Sequence, residues 1–408
     1  MAVALVVAGS VALAANITCP NTPTGDCVGT SKTDTMTGTD RADSMRGRGG
    51  ADTIYGRGGR DKAFGGGGND DVSTGLGDDT SVGGGAGDDS LSGGDGDDSY
   101  SFGGDWGADR IPSDGEGAGT DTLDFSLLTD PLDADLVSSP ERDEVVSDAG
   151  TLNFPATVEI ENVTGGEARD VVRGNDARNR FSGNGGNDSL VGRGGDDVLS
   201  GGLGADALTG GPGDDELNGG DGIDNDVYLF GDGWGNDTIT DGAGIDRLFF
   251  GELTSAVTVN LATGTATGGT NTVTWTPPVI ENATGGTAND ILRGDVSSNT
   301  LNGQGGDDEM YGENNSDTMY GRDGNDTMYG GPGADTVYGD HPNFPTETGD
   351  DTIDVADGDP GDTVDCGPDA TVTGDTVVVD AVQDPTTGAI NPVDSVINCE
   401  TVKKELIN

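Results

Sequence analysis

Apolar and polar positions along much of this chain follow neither the 3.6-residue period of a helix nor simple alternation. They follow a period of nine. From Gly29 the units read GTSKTDTMT, GTDRADSMR, GRGGADTIY, GRGGRDKAF, GGGGNDDVS and TGLGDDTSV. Gly83 slips the frame by one residue, and GGAGDDSLS and GGDGDDSYS follow from Gly84. A second array starts at Gly165 (GGEARDVVR, GNDARNRFS, GNGGNDSLV, GRGGDDVLS, GGLGADALT, GGPGDDELN) and ends in the ragged GGDGIDNDV. A third starts at Gly285: GGTANDILR, GDVSSNTLN, GQGGDDEMY, GENNSDTMY, GRDGNDTMY and GGPGADTVY. The arrays hold eight, seven and six units.

Within a unit, positions 1, 2 and 4 favour Gly, position 6 is Asp and position 8 is apolar. Glycine reaches φ > 0 without a Cβ penalty, so the first six residues suit a tight turn. The last three suit a very short strand whose middle side chain faces inward. Those inward residues are read as Met36, Met45, Ile54, Val72, Leu91, Leu190, Leu199, Leu208, Leu217, Ile291, Leu301, Met310, Met319, Met328 and Val337. Ala63 and Ser81 fall at the same position and predict weak points. Two units, turn–strand–turn–strand, make one coil of a flat solenoid, which stacks unit i over unit i+2. Asp34, Asp52, Asp70 and Asp89 then line one edge, and Asp43, Asp61, Asp79 and Asp98 the other.

The pattern also carries chemistry. A glycine-rich turn leaves main-chain carbonyls free, and Asp at position 6 adds a hard charged oxygen. Ca²⁺ takes six to eight such oxygens. The candidate metal residues are those eight aspartates together with Asp170, Asp188, Asp197, Asp206, Asp215 and Asp224 in the second array and Asp290, Asp308, Asp317, Asp326 and Asp335 in the third. Asn179 and Asn299 replace Asp in the second unit of their arrays, where weaker sites are expected.

GGAGDDSLS and GGDGDDSYS resemble the nonapeptide GGxGxDxUx of RTX, or hemolysin-type, calcium-binding proteins. The resemblance covers about half the chain. It implies a right-handed parallel β-roll, Ca²⁺ between stacked turns, and folding coupled to calcium. Its ligands are position-6 Asp side chains and the carbonyls of turn positions 1 to 4. The expected fold class is all-β: parallel β-roll solenoids in three nonapeptide arrays, linked by β-rich spacers.

Composition agrees with this only once calcium is included. The 408 residues hold 76 Gly, and 75 acidic against 19 basic residues give a net charge of −56. Composition alone describes an acidic disordered chain, but such a chain does not keep a nine-residue phase through three arrays. The charge excludes a nucleic-acid partner, which needs a basic surface. One apolar side chain per nine ordered residues is also a thin core, so a cation bound to the folded state alone must supply stability.

Outside the arrays, residues 1–15 are apolar and small, with an A-x-A pattern at Ala12 and Ala14, and read as a signal peptide. No Lys or Arg precedes the run, which leaves a longer signal peptide as an alternative. Four cysteines behind it, Cys19 with Cys27 and Cys366 with Cys399, predict two local disulfides. The expected organisation is a Cys-containing cap at 16–28, rolls at 29–101, 165–229 and 285–340, spacers at 102–164 and 230–284, and a C-terminal β capping segment at 341–408. The spacers share Phe102 and Trp106 with Phe230 and Trp234 at their starts, and Glu161 with Glu281 near their ends, as duplicated segments do.

No catalytic residue is assigned. The chain has neither H-E-x-x-H nor G-x-S-x-G, and its one histidine, His341, lies outside any recognisable domain. A long apolar segment, as a pore-forming toxin requires, is absent after residue 15, and no membrane span is expected in the mature chain. The expected function is calcium binding by a secreted extracellular protein with a structural or adhesive role. A secreted calcium-stabilised hydrolase or lyase with its site in a spacer is the alternative. A cell-surface or polysaccharide partner stays open.

Overall fold

A computed structural model describes residues 14–20, 25–112, 119–137, 145–155, 158–340, 349–358, 361–367, 374–383, 390–392 and 394–406. Residues 1–13, which hold most of the segment read above as a signal peptide, and His341 lie outside them. The described chain is all-β and divides into two compact units, Met1–Leu190 and Val191–Asn408. Among the described residues, no helix is long and apolar enough to cross a membrane.

In each unit, consecutive short strands alternate between two parallel-dominated sheets, as the turn–strand–turn–strand coil requires. Strands such as Thr53–Gly58, Asp71–Leu76 and Ser90–Asp95 are six residues long, and others, such as Glu309–Tyr311, only three. In the first unit Met36 pairs with Ile54, Ile54 with Val72 and Val72 with Leu91 in one sheet. Met45, Ala63 and Val82 run in register in the other. In the second unit Leu301, Met319, Val337 and Val364 form one column, and Leu292, Met310, Met328, Ile353 and Val377 another. Partners are one coil apart, and these inward side chains are fully buried. The core is therefore two facing columns of apolar residues rather than a globular centre.

Three inward positions differ from the sequence reading. Leu292, not Ile291, is fully buried; of two adjacent apolar residues on a strand only one can face inward. Val82, not Ser81, fills the core opposite Ala63, because the one-residue slip falls between Asp79 and the strand rather than after it. Ala63 is as fully buried as its larger neighbours.

The spacers continue the ladders and add antiparallel excursions. Thr122–Asp124 pairs in parallel with Ser99–Ser101 on one side and Asn162–Thr164 on the other. Val145–Ser147 and Gly150–Asn153 form an antiparallel pair in the first spacer, and Thr258–Asn260, Thr265–Gly268 and Asn271–Thr274 an antiparallel trio in the second. The duplication extends to packing. Phe102, Trp106 and Phe125 cluster with ring centroids 4.8–5.9 Å apart, and Phe230, Trp234 and Phe250 at 4.9–5.9 Å. All six are buried, as is Trp275. Disulfides join Cys19 to Cys27 and Cys366 to Cys399.

Candidate metal centre

Each nonapeptide turn places its position-6 carboxylate between two stacked coils. The N–H of Asp52 donates to Oδ1 of Asp70 at 2.7 Å, and Asp70 in turn to Asp89 at 2.6 Å. The opposite edge repeats this with Asp43, Asp61, Asp79 and Asp98. Asp290, Asp308, Asp326 and Asn299, Asp317, Asp335 do the same in the second unit. One carboxylate oxygen of each Asp is thus consumed in holding the coil below it.

The second oxygen divides the turns into two classes. In the first two units of every array, position 4 is not glycine (Lys32, Arg41, Ala168, Ala177, Ala288, Ser297), and neither position 2 nor position 4 has positive φ. There the N–H of position 2 points at the position-6 side chain. Thr30 donates to Asp34 Oδ2 at 2.5 Å, Thr39 to Asp43 at 2.6 Å and Gly166 to Asp170 at 2.7 Å, and Gly286 does the same to Asp290. Asn175 and Asp295 make the equivalent bond to the Oδ1 of Asn179 and Asn299.

In later units position 2 turns left-handed, and in most of them position 4 does too. Arg48, Arg57, Arg193, Gln304, Glu313 and Arg322 take φ between 76° and 85° at position 2, beside glycines such as Gly66 and Gly94. The position-2 N–H then no longer caps the carboxylate. As a result Oδ2 of Asp52, Asp61, Asp70, Asp89, Asp98, Asp215, Asp308, Asp317, Asp326 and Asp335 is buried without a hydrogen-bond donor. A buried anionic oxygen left without a partner costs far more than a lost hydrogen bond.

Position 1 is glycine for a different reason. A Cβ built on Gly47 would lie 2.1 Å from Asp52 Oδ2 and 2.4 Å from the Gly65 carbonyl oxygen of the next coil. On Gly303 it would lie 2.2 Å from Asp308 Oδ2 and 2.9 Å from the Gly321 oxygen. These stacks therefore enclose a small space, lined by a carboxylate oxygen and a carbonyl oxygen, that glycine leaves open; Thr74 alone among the first-array units takes position 1 with a side chain, which is buried and donates to the Gly93 oxygen.

Asn179 and Asn299 supply an internal comparison. Their Nδ2 donates to the main-chain oxygen of Glu161 at 3.2 Å and of Glu281 at 2.8 Å. Where position 6 carries a donor, it finds an acceptor across the stack. Where it carries a second acceptor, acceptors face each other, and a cation would satisfy both. The donor set is all-oxygen and hard, which fits Ca²⁺.

Burial is the main influence on these carboxyls. It pushes Asp61, Asp70 and Asp98 up to about 7 and Asp308 and Asp317 to about 8; the N–H bond to Oδ1 pulls the other way, and neighbouring carboxylates add to the rise. Asp34, in a self-capped turn, is instead held below the usual range: burial there raises it, but the donors from Thr30 and Ala15 outweigh that rise.

Of the sequence-predicted residues, all but one occupy a ladder position and are buried, including Asp188, Asp197 and Asp206. The exception is Asp224, which is exposed. The ragged unit carries two extra residues, and Asp226 takes the place, with Oδ1 accepting from Asp206 N–H at 2.8 Å. The ladder also runs on where the nonapeptide reading stopped. Asp109, Asp121, Asp237 and Asp246 continue it in the spacers, and Asp351, Asp362 and Asp375 toward the C-terminus. The signal for several of these was the tripeptide Asp-Thr-apolar at Asp121, Asp351, Asp362 and Asp375.

Eight segments match the family model described as RTX calcium-binding nonapeptide repeat (4 copies): residues 28–63, 49–80, 84–111, 164–199, 191–226, 232–249, 284–319 and 311–340. Together they span more than half of the chain. Compared with curated protein sequences, the chain matches none.

Proposed function

The chain belongs to the RTX calcium-binding nonapeptide-repeat family, and from that premise we propose a secreted extracellular protein whose rolls are completed by Ca²⁺ and whose role is structural or adhesive. The observation that carries the reading is the buried, donor-less Oδ2 repeated through the later turns of the arrays. In this reading Ca²⁺ is held by the position-6 Asp residues of the open turns, such as Asp52, Asp70, Asp308 and Asp326, together with turn carbonyls. The self-capped turns of Asp34, Asp43, Asp170 and Asp290 hold it less tightly, because their carboxylates already accept main-chain donors.

Two disulfides support an oxidising, extracellular destination. The ladder carboxylates are spent on coil-to-coil bonds and on the cation, which supports a scaffold rather than a catalyst. Metal analysis paired with hydrodynamic radius, with and without chelator, tests the proposal. Bound calcium and a large fall in radius on its addition are expected. A compact chain with full β-structure in chelator overturns the coupling. Recovery of the chain only from inside the producing cells overturns secretion.

A further inference from the structure

The first roll separates its exposed charge along its length. Its first two coils, residues 29–64, hold seven Lys and Arg and five Asp, and four of those Asp are buried in the ladders. Its last two coils, residues 65–101, hold nine Asp and no Lys or Arg. In a chain of net charge −56, a half-roll with a cationic surface is not a by-product of composition.

The separation is clearest on the edge formed by the turns that begin at Gly38, Gly56, Thr74 and Gly93. The register of the flanking strands aligns the last three of these turns position by position: Arg57 with Gly75 and Gly94, and Gly58 with Leu76 and Asp95. Position 5 of the same three turns is Arg60, Asp78 and Asp97, all exposed. Asp78 and Asp97 each accept one N–H from the coil above, at 3.2 and 2.8 Å. Among the described residues, Arg41, Arg57 and Arg60 reach no carboxylate. Midway along this edge Leu76 is 59% exposed. Next to it lies Gly58, where an added Cβ would meet nothing nearer than 3.6 Å. The fold of the roll therefore does not require glycine at 58.

We propose that this edge pairs with the same edge of a second copy, the two rolls running antiparallel about a two-fold axis between the second and third coils. Reversing the coil order sets the second coil of one copy against the third of the other. Arg60 then faces Asp78, and Leu76 faces the gap at Gly58, each twice. Arg41 comes beside Asp97 of the other copy. Asp40 and Asp95 meet at the rim, where water and salt screen them. The strip is self-complementary, as a two-fold interface must be. Its centre is apolar and its flanks carry Arg–carboxylate pairs, which form bidentate bonds. A parallel pairing would set arginine on arginine. Four coils spaced about 4.8 Å apart make a narrow strip, so the association is of the weak, reversible kind. It goes beyond calcium binding and needs only that the roll be folded.

Sedimentation of the full chain in saturating calcium tests the pairing. The mass should rise toward twice that of one chain between about 10 μM and 1 mM protein. Arg60→Glu alone and Asp78→Arg alone should stay monomeric. An equimolar mixture of the two should pair again, because each then meets its opposite charge at both contacts. Circular dichroism of the same samples identifies a variant that has not folded. Gly58→Gln, at a position where the next coils carry Leu76 and Asp95, then takes its place and should also stay monomeric. A folded variant that pairs like the wild type, or a mixture of folded variants that does not recover, overturns the proposal. A wild-type chain that stays monomeric throughout also overturns it, and dextran sulfate bound by that monomer but not by Arg60→Glu would assign the arginines to an anionic polymer instead.

Discussion

The N–H of Asp317 donates to Oδ1 of Asp335, one coil above, at 2.8 Å, while Oδ2 of both residues is buried with no donor. In the open turns each position-6 Asp thus holds the fold together with one oxygen and strains it with the other. Removing the charge and removing the ion should therefore act in opposite directions.

Asp317→Asn should make the roll less dependent on calcium and less able to bind it. The amide keeps the Oδ1 acceptor and gains a donor that can reach a carbonyl, as in Asn299. Relief of a buried unpaired acceptor is worth about 1–3 kcal/mol. Residual β-structure in chelator should rise and the calcium count should fall, read by circular dichroism and metal analysis on the same samples.

The calcium-free fold should be favoured by acid. Burial raises Asp61, Asp70 and Asp98 from 3.8 to about 7, Asp237 and Asp308 to about 8, and Asp351 to about 9, with neighbouring carboxylates adding to the rise. The folded chain then holds more protons than the unfolded chain across that window. This contribution is fully present below the ordinary carboxylate value and is lost as pH rises through the raised ones. In chelator, β-structure should fall between about pH 4 and pH 9. With calcium present the trend should flatten, and binding near pH 6, within the same window, should release protons measurable by calorimetry.

Two turn substitutions should have opposite signs. Gly65→Ala puts a Cβ 2.1 Å from Asp70 Oδ2, into the space assigned to the cation, and should abolish that site. Arg48→Gly relieves a non-glycine residue held at φ 84° and should stabilise the calcium-loaded roll by about 1 kcal/mol. Thermal unfolding at saturating calcium separates the two.

Reduction of Cys366–Cys399 should loosen the C-terminal strands selectively. The bridge closes 33 residues and ties Thr363–Asp365 to the region of its parallel partner Ser395–Ile397. Loops of that size gain about 3–4 kcal/mol from closure. Hydrogen exchange should rise there on reduction while the strand Thr318–Asp323 keeps its protection.

The sequence reading succeeded where one period governs everything. The nine-residue phase located the ladder aspartates, and the inward columns from Met36 to Leu91 and from Met310 to Val337 follow from it directly. It failed where the period breaks. Nothing in the spacing of Thr80, Ser81 and Val82 says on which side of the strand the extra residue falls; the register with Lys62 and Ala63 decides it. Asp226 replaces Asp224 because a lengthened turn can bulge outward while the strand cannot move. The two turn classes follow glycine or its absence at position 4 in all units but that of Asn315, which takes φ 69° without being glycine; their meaning depends on where the position-2 N–H points, which only the backbone conformation reveals.

Those turn classes give the chain an order in time. The coils that begin each array, at Gly29, Gly165 and Gly285, close their own carboxylate or amide side chains with main-chain donors. They are the coils that can assemble while ions are scarce. Each then offers a template edge to the ion-dependent turns that follow it, so growth of every roll is predicted to start at that end and run in one direction.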